Sequence, residues 1–342
     1  MKFKKVISFS LLILLAVGLY FGYDIYKRVF APNVFPKTVY LNIPTGSNYV
    51  DVLAILMEKD IVKNKSSFDW LAQKMKYDKN IHAGHYKITP GMNNKELITL
   101  LRSGRQTPVQ LIFNNVRLTT GLASVVSHSI EADSLSLINL LNDDSYLKQY
   151  GFNSKNCIAM FIPNTYEFYW NTSAKKFMER MAREYKTFWN AERKKKASAA
   201  GLSQTEVSVL ASIVEQETHR NDEKASIAGV YMNRYKKGWR LEADPTLVFA
   251  LGNFSVQRVL RAYKEIDSPY NTYMYAGLPP GPICIPSVSS IDAVLNYTKH
   301  EYLYFCARDD FSGYHCLAKT YQEHLVNAKR FQKELNRRNI RE

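Results

Sequence analysis

The chain has 342 residues, 46% of them apolar, an ordinary share for a folded protein and length enough for two modest domains. Its 46 Lys and Arg against 31 Asp and Glu leave a formal charge of +15, which draws it to something acidic: nucleic acid, an anionic membrane surface or the anionic bacterial wall. The charge is scattered through short runs such as Lys194–Lys196 and Arg337–Arg338, the pattern of solvated faces, and no Arg-rich recognition helix stands out.

The N-terminus narrows the acidic partner. Lys2, Lys4 and Lys5 precede an apolar run from Val6 to Tyr23, which Asp24, Lys27 and Arg28 close. As a helix rising about 1.5 Å per residue, the run spans about 27 Å, close to a hydrocarbon core. The excess of basic residues before it predicts an N-terminus inside and everything from about residue 30 outside. A cleaved signal peptide is the competing reading, with Ala16-Val17-Gly18 as a small-residue site. The apolar character continues through Leu19, Tyr20 and Phe21, which favours an uncleaved anchor. Either way the folded part is exported, and nucleic acid drops away as a partner. Residues 1–30 are thus expected to be a cytoplasmic tip and transmembrane anchor, and 31–37, with two prolines, a short linker.

A compact α+β module is expected over 38–113. Thr38–Ile43 alternates like a strand, Pro44-Thr45-Gly46 is a turn, and Ser47 can cap a helix carrying Val50, Leu53, Ala54 and Met57. Ser66 or Ser67 can cap the next helix, through Phe68, Leu71 and Met75. His85–Ile88 reads as a second strand, and Pro90-Gly91 as a turn before a helix with Leu97, Ile98 and Leu101. His82 and His85 sit three apart, but Gly84 and the strand that follows argue for a turn rather than half a metal site.

The remainder, 114–342, is expected to be a mixed α+β domain. No cofactor is indicated: G-x-G-x-x-G, Walker A, H-E-x-x-H and G-x-S-x-G patterns are all missing from the sequence. Four cysteines, Cys157, Cys284, Cys306 and Cys316, form no C-x-x-C pair, so metal spacing is missing too. Tyr302–Cys306 and Tyr314–Cys316 read as strands around the turn Asp309–Gly313. Across that hairpin Cys306 and Cys316 could form a disulfide in an oxidising compartment or remain thiols.

Chemistry concentrates between Thr205 and Thr246. Gln204-Thr205-Glu206 opens a helix that continues through Glu215-Gln216-Glu217-Thr218. At 100° per residue Leu210, Ile213 and Val214 fall within about 60° of Glu217, with Glu215 on the other side. A carboxyl at the end of an apolar stripe loses hydration of its charged form and gains pKa, which suits a general acid for glycosidic cleavage. The bland alternative is a solvated helix end paired with Arg220.

The stretch Ala211-Ser-Ile-Val-Glu-Gln-Glu-Thr218 resembles the hallmark of the endolytic murein transglycosylase family (MltG, or YceG-like). The likeness continues through Ala228–Arg234, Gly238, Leu241, Asp244-Pro-Thr246, Pro269–Tyr273, Gly277–Ile283 and Tyr302–Phe305, with earlier patches at Ala83-Gly84-x-Tyr86 and Phe161–Tyr166. It covers nearly the whole exported region in order. The resemblance implies a single N-terminal transmembrane helix in the inner membrane, a LysM-like α+β module and a C-terminal catalytic domain in the periplasm. It implies cleavage of the N-acetylmuramic acid–N-acetylglucosamine bond inside nascent peptidoglycan strands, leaving a 1,6-anhydro end that terminates elongation. Glu217 falls on the family's catalytic glutamate. Peptidoglycan synthases or divisome proteins are the candidate protein partners.

Asn271, Thr272 and Tyr273 could hydrogen-bond sugar hydroxyls, with Tyr166 a further candidate; Tyr offers a flat apolar face and a polar tip, though a packed core aromatic would look the same. Asp244 and Thr246 could contact substrate, or Asp244 could cap a helix at Pro245. Glu223 and Arg234 could orient Glu217 or pair on the surface. Two departures from the family pattern stand out: Glu242, where a neutral or variable residue is expected, and Ser287 after Ile285-Pro286, where a glycine is usual.

Overall fold

The computed structural model describes residues 2–256 and 259–338. Contacts divide the chain into two units, one of Met1–Leu111 with Ser129–Glu131 and Glu167–Ser173, the other of the remainder. In the first, helix α1 (Lys2–Phe30) precedes strand β1 (Val39–Ile43), helices α2 (Tyr49–Glu58) and α3 (Lys65–Lys74), strand β2 (Gly84–Ile88) and helix α4 (Asn94–Ser103). Within α1, Val6–Phe30 is long and apolar enough to cross a membrane.

β1 and β2 pair antiparallel, Leu41 opposite Tyr86 and Ile43 opposite Gly84. Their alternate residues Leu41, Ile43, Tyr86 and Ile88 are fully buried and meet Val52, Leu56, Phe68 and Leu97 from the helices. Caps differ from the sequence expectation. Asn48, not Ser47, caps α2, in a reciprocal box with Asp51. Asn64, not Ser66 or Ser67, caps α3, and Ser67 is buried. The carboxamide reaches the orphan N–H groups of the first turn as well as a hydroxyl does, so composition alone does not choose. Residues 31–37 are not a free linker: Val34 is buried, Asn33 is locked to Asn94 and Asn64, and the chain bridges to Val62 and Asn93. His85 spends its ring on Asn42, at 2.6 Å, and on stacking against Tyr40.

The boundary at Leu111 falls two residues before the expected one, and two later segments return to the first unit. Thr45 N and Oγ1 both donate to the Glu131 carboxylate, and Gln106 donates to Asn171. Strand β3 (Val109–Phe113) is followed by α5 (Thr119–Ser129), α6 (Ser134–Asn142), α7 (Asp144–Lys148) and β4 (Asn164–Phe168), which pairs with β3. Helices α8 (Ala174–Phe188), α9 (Ala191–Ala200), α10 (Gln204–Glu217), α11 (Lys224–Lys236), α12 (Asp244–Leu251) and α13 (Val288–Leu295) come next. Strands β5 (Tyr304–Ala307) and β6 (His315–Ala318) and helix α14 (Tyr321–Arg337) end the described chain.

In the second unit α10, α11 and α13 pack on one another, and every residue of α10 from Val207 to Val214 is buried. The expected hairpin is present as β5–β6, with Cys306 directly opposite Cys316 and both thiols free. Gly281, in the Gly-Leu-Pro-Pro-Gly loop, has no room for a Cβ, which would collide with the Lys155 carbonyl.

Candidate active site

A capping box between Ser203 and Glu206 starts α10, and the helix runs until Glu217, its last residue; Thr218 is already extended. Glu217 therefore sits where the buried helix reaches a cavity of about 570 Å³, whose wall also includes Arg117, Gln216, Asp244, Phe249 and Phe254. It is half-buried, enclosed by protein except for its face on the cavity. One carboxylate oxygen accepts a 2.5 Å hydrogen bond from Tyr231 of α11. Burial pushes the Glu217 carboxyl up to about 7; the Tyr231 bond opposes the rise, the Asp244 charge adds to it, and the Arg234 charge opposes it.

Glu215, two residues earlier, has the opposite fate. Burial disfavours its charge too, but hydrogen bonds from Ser287 and Ser290 and the Lys224 ammonium at 3.1 Å outweigh it and hold the carboxyl below the usual range. One glutamate of the pair is thus an ionised structural anchor. The other is a carboxyl without an ion-pair partner among the described residues, poised to hold or release a proton near neutral pH.

The β5–β6 hairpin braces Glu217 from two directions. Phe305 packs edge-on against the Tyr231 ring. His315 donates its backbone N–H to Glu223 at 2.6 Å, its Nδ1 lies 2.8 Å from the same carboxylate, and Glu223 accepts from Thr218. Glu223 and Arg234 are buried rather than on the surface, and among the described residues neither hydrogen-bonds to Glu217. Arg234 is committed to the carbonyls of Leu303 and Leu241 and to Glu242 at 3.2 Å. Arg220 does not pair with Glu217: it donates to the Ser312 carbonyl and lies over the Tyr314 ring.

The pattern of the YceG-like family matches residues 41–330 of the chain. This protein belongs to the YceG-like family. It is 30% identical over 306 residues to the endolytic murein transglycosylase of Bacillus subtilis, covering 84% of this chain and 83% of that one. It is 26% identical to the endolytic murein transglycosylase of Streptococcus pneumoniae over 88% of the chain, and spans only 60% of that relative. The crystal structure of a yceG-like protein of Listeria monocytogenes superposes with a TM-score of 0.58 at 27% identity, over 84% of this chain and 98% of that one.

In this YceG-like chain the other residues singled out in the sequence fall into two groups. Asp244, in the first turn of α12, lines the cavity and accepts from Tyr273 Oη at 2.6 Å. Burial, then that bond and the Asp244 charge, push the Tyr273 phenol well up, so it stays a donor. Asn271, Thr272, Thr246 and Tyr166 are buried and engaged elsewhere. Asn271 donates to the carbonyls of Lys264 and Ile266 and accepts from Tyr273 N. Thr272 Oγ1 accepts from Ala243 N at 3.0 Å and meets Thr246 Oγ1 at 2.8 Å. Tyr166 donates to the Ile162 carbonyl and stacks on Phe113. The polar atoms of Asn271, Thr272 and Thr246 fix the backbone that carries Asp244 and Tyr273, and none of the four lines the cavity.

Asp244 does not cap its helix; Ala243 occupies the cap position, and Thr246 Oγ1 bonds its carbonyl instead. Ser287, the departure from the glycine pattern, caps α13 and donates to Glu215, so it is part of the scaffold under the E-x-E pair. Two residues at the site carry no signal of their own in the sequence: Tyr231, buried behind Glu217, and Arg117, on the cavity wall. Tyr231 lies inside the Ala228–Arg234 motif, where nothing in the spacing sets it apart from its neighbours. Arg117 comes from the loop after β3, where it donates to Gln216 at 2.6 Å and lies 4.7 Å from the Phe254 ring centroid. A lone arginine in a loop carries no spacing signal.

Proposed function

We propose that this protein is an endolytic lytic transglycosylase of peptidoglycan, with Glu217 as its single general acid and base. The observation that carries the proposal is one half-buried carboxyl on the cavity wall, without an ion-pair partner among the described residues and with its pKa raised to about 7. Protonated, Glu217 gives its proton to the oxygen linking N-acetylmuramic acid to N-acetylglucosamine, and the bond from the muramoyl C1 to that oxygen breaks. Positive charge develops at C1, and the sugar's own 6-hydroxyl attacks it. The hydroxyl proton passes to the Glu217 carboxylate, which restores the acid and leaves a 1,6-anhydro ring. An intramolecular nucleophile is already held near C1, so neither a second carboxylate nor a bound water is required. Tyr231 keeps the carboxyl oriented through both proton transfers.

Asp244 on the same wall favours one competing reading, a hydrolase in which it prepares a water for C1. The two differ in product mass. Purified glycan strands incubated with the protein are expected to yield anhydro-muramoyl ends, and Glu217→Gln to lower the rate by at least about a thousandfold. Products heavier by one water, with reducing ends, would move the assignment to the hydrolase. An undiminished rate in Glu217→Gln would remove Glu217 from the chemistry.

The anchor reading places α1 in the inner membrane with a cytoplasmic N-terminus and the catalytic unit in the periplasm, acting on nascent strands. The β1–α2–α3–β2 order, with the two strands paired antiparallel, supports a LysM-like module over 38–113.

A further inference from the structure

A second cavity, of about 330 Å³, opens in the first unit where α1 ends, and Lys27, Arg28, Lys63, Asn64, Ser66 and Asp24 are on its wall. We propose that it is a binding site for the phosphate of an anionic membrane lipid; the proposal rests on the reading of α1 as a membrane span. A hydrocarbon core takes up about 20 helical residues. Counted from Val6, that length ends near Ile25, so Lys27 and Arg28 stand at headgroup depth on whichever side α1 emerges. Tyr20, Tyr23 and Tyr26 are exposed along the same end of the helix, as residues of an interfacial belt are.

Three cations meet one acid on this wall. Asp24 is claimed by Arg28 at 2.7 Å, one turn along the helix. Lys27 and Lys63 have no carboxylate partner among the described residues and rest beside the rings of Tyr23 and Phe35. Asn64 is the N-cap of α3, so the positive end of that helix dipole also faces the cavity. Lysines that merely mark the end of a span need only reach water and would come from the span alone. Here Lys63 arrives from a separate element and converges with Lys27 and Arg28 around a concave, polar space. The net positive charge, the Asn64 carboxamide and a helix N-terminus form an oxyanion receptor, and a lipid phosphate is the anion that bilayer depth supplies.

The test uses the full chain in lipid nanodiscs, with lipids retained on the released protein counted by native mass spectrometry. Discs contain phosphatidylcholine alone, or with added phosphatidylglycerol, or with added polyprenyl pyrophosphate. Wild type is expected to retain one or both anionic lipids over phosphatidylcholine, and the preferred one identifies the source. Lys27→Gln with Arg28→Gln and Lys63→Gln is expected to lower retention at least about tenfold, at roughly fivefold per cation near an anionic surface. Lys59→Gln with Lys74→Gln and Lys79→Gln removes the same charge elsewhere in the unit and is expected to keep it. Equal loss in both triple variants, or equal retention of phosphatidylcholine, would overturn the site. So would displacement of the lipid by millimolar inorganic phosphate, which would make it a site for the free ion. Failure of the protein to co-elute with the discs would instead overturn the anchor reading, and the site with it.

Discussion

Glu215 and Glu217 share a helix, a side-chain type and a largely enclosed setting, yet their surroundings push their proton affinities in opposite directions. What separates them is partnership: two serines and a lysine converge on Glu215, whereas Glu217 receives one phenol. Helical spacing placed the two on different sides of α10, and the family resemblance singled out the second. The buried surroundings of α10 on all sides were not legible from an amphipathic stripe. Replacing Tyr231 with Phe keeps the ring against Phe305 and removes a bond that favours the charged carboxylate. The alkaline limb of kcat/KM is therefore expected to move from near pH 7 to higher pH; a limb that stays or moves down would show that Tyr231 does not tune the acid. The same shift bears on stability. Folding raises the Glu217 pKa from 4.5 to about 7, so the folded chain binds more protons between those values, and stability falls as pH rises through that window. Glu217→Gln lacks this loss. Relative to wild type it is expected to gain about 1–3 kcal/mol on going from pH 4.5 to pH 8, measured by denaturant unfolding at both.

At the scale of elements, the site is the junction of α10, α11, α12 and the β5–β6 hairpin, held by side chains that never meet the cavity. Lys224 is 3% exposed and ties the start of α11 to Glu215 on α10 and to the α13 cap. Lys224→Ala leaves a buried carboxylate without its counter-charge and is expected to cost about 3–5 kcal/mol, read from the urea midpoint. Adding Glu215→Gln should recover much of that loss; a double variant as unstable as the single one would show that packing, not charge, is at stake. Strands and helices of the small module were readable because burial there follows period two and period 3.6. The caps were misread by one to three residues, because Asn and Ser satisfy the same N–H groups and only the local backbone decides between them.

At the scale of the molecule, the formal charge of +15 complements an anionic wall polymer. Association with sacculi is therefore expected to weaken with salt: raising ionic strength from about 0.01 to 0.15 M shortens the Debye length from about 30 to 8 Å. KM should rise severalfold with kcat little changed. A salt-independent KM would mean that recognition is confined to the cavity.

The sequence by itself determined the apolar N-terminal helix, the α+β alternation of the module, the β5–β6 hairpin with its opposed cysteines, and Glu217 as the acid to test. Each rests on local periodicity, on turn chemistry or on a contiguous motif. Tertiary structure alone decided that Asn271, Thr272, Thr246 and Tyr166 turn their polar groups inward, and that buried Asn33 and Val34 pin the 31–37 segment to the module. It alone brought Arg117 to the wall beside Gln216 and Tyr231 against the Glu217 carboxyl, because hydrogen-bond partners 99 and 14 residues apart in sequence leave no trace in local pattern. The proton affinity of a buried carboxyl is set by what surrounds it in space, and that is the quantity a linear sequence does not carry.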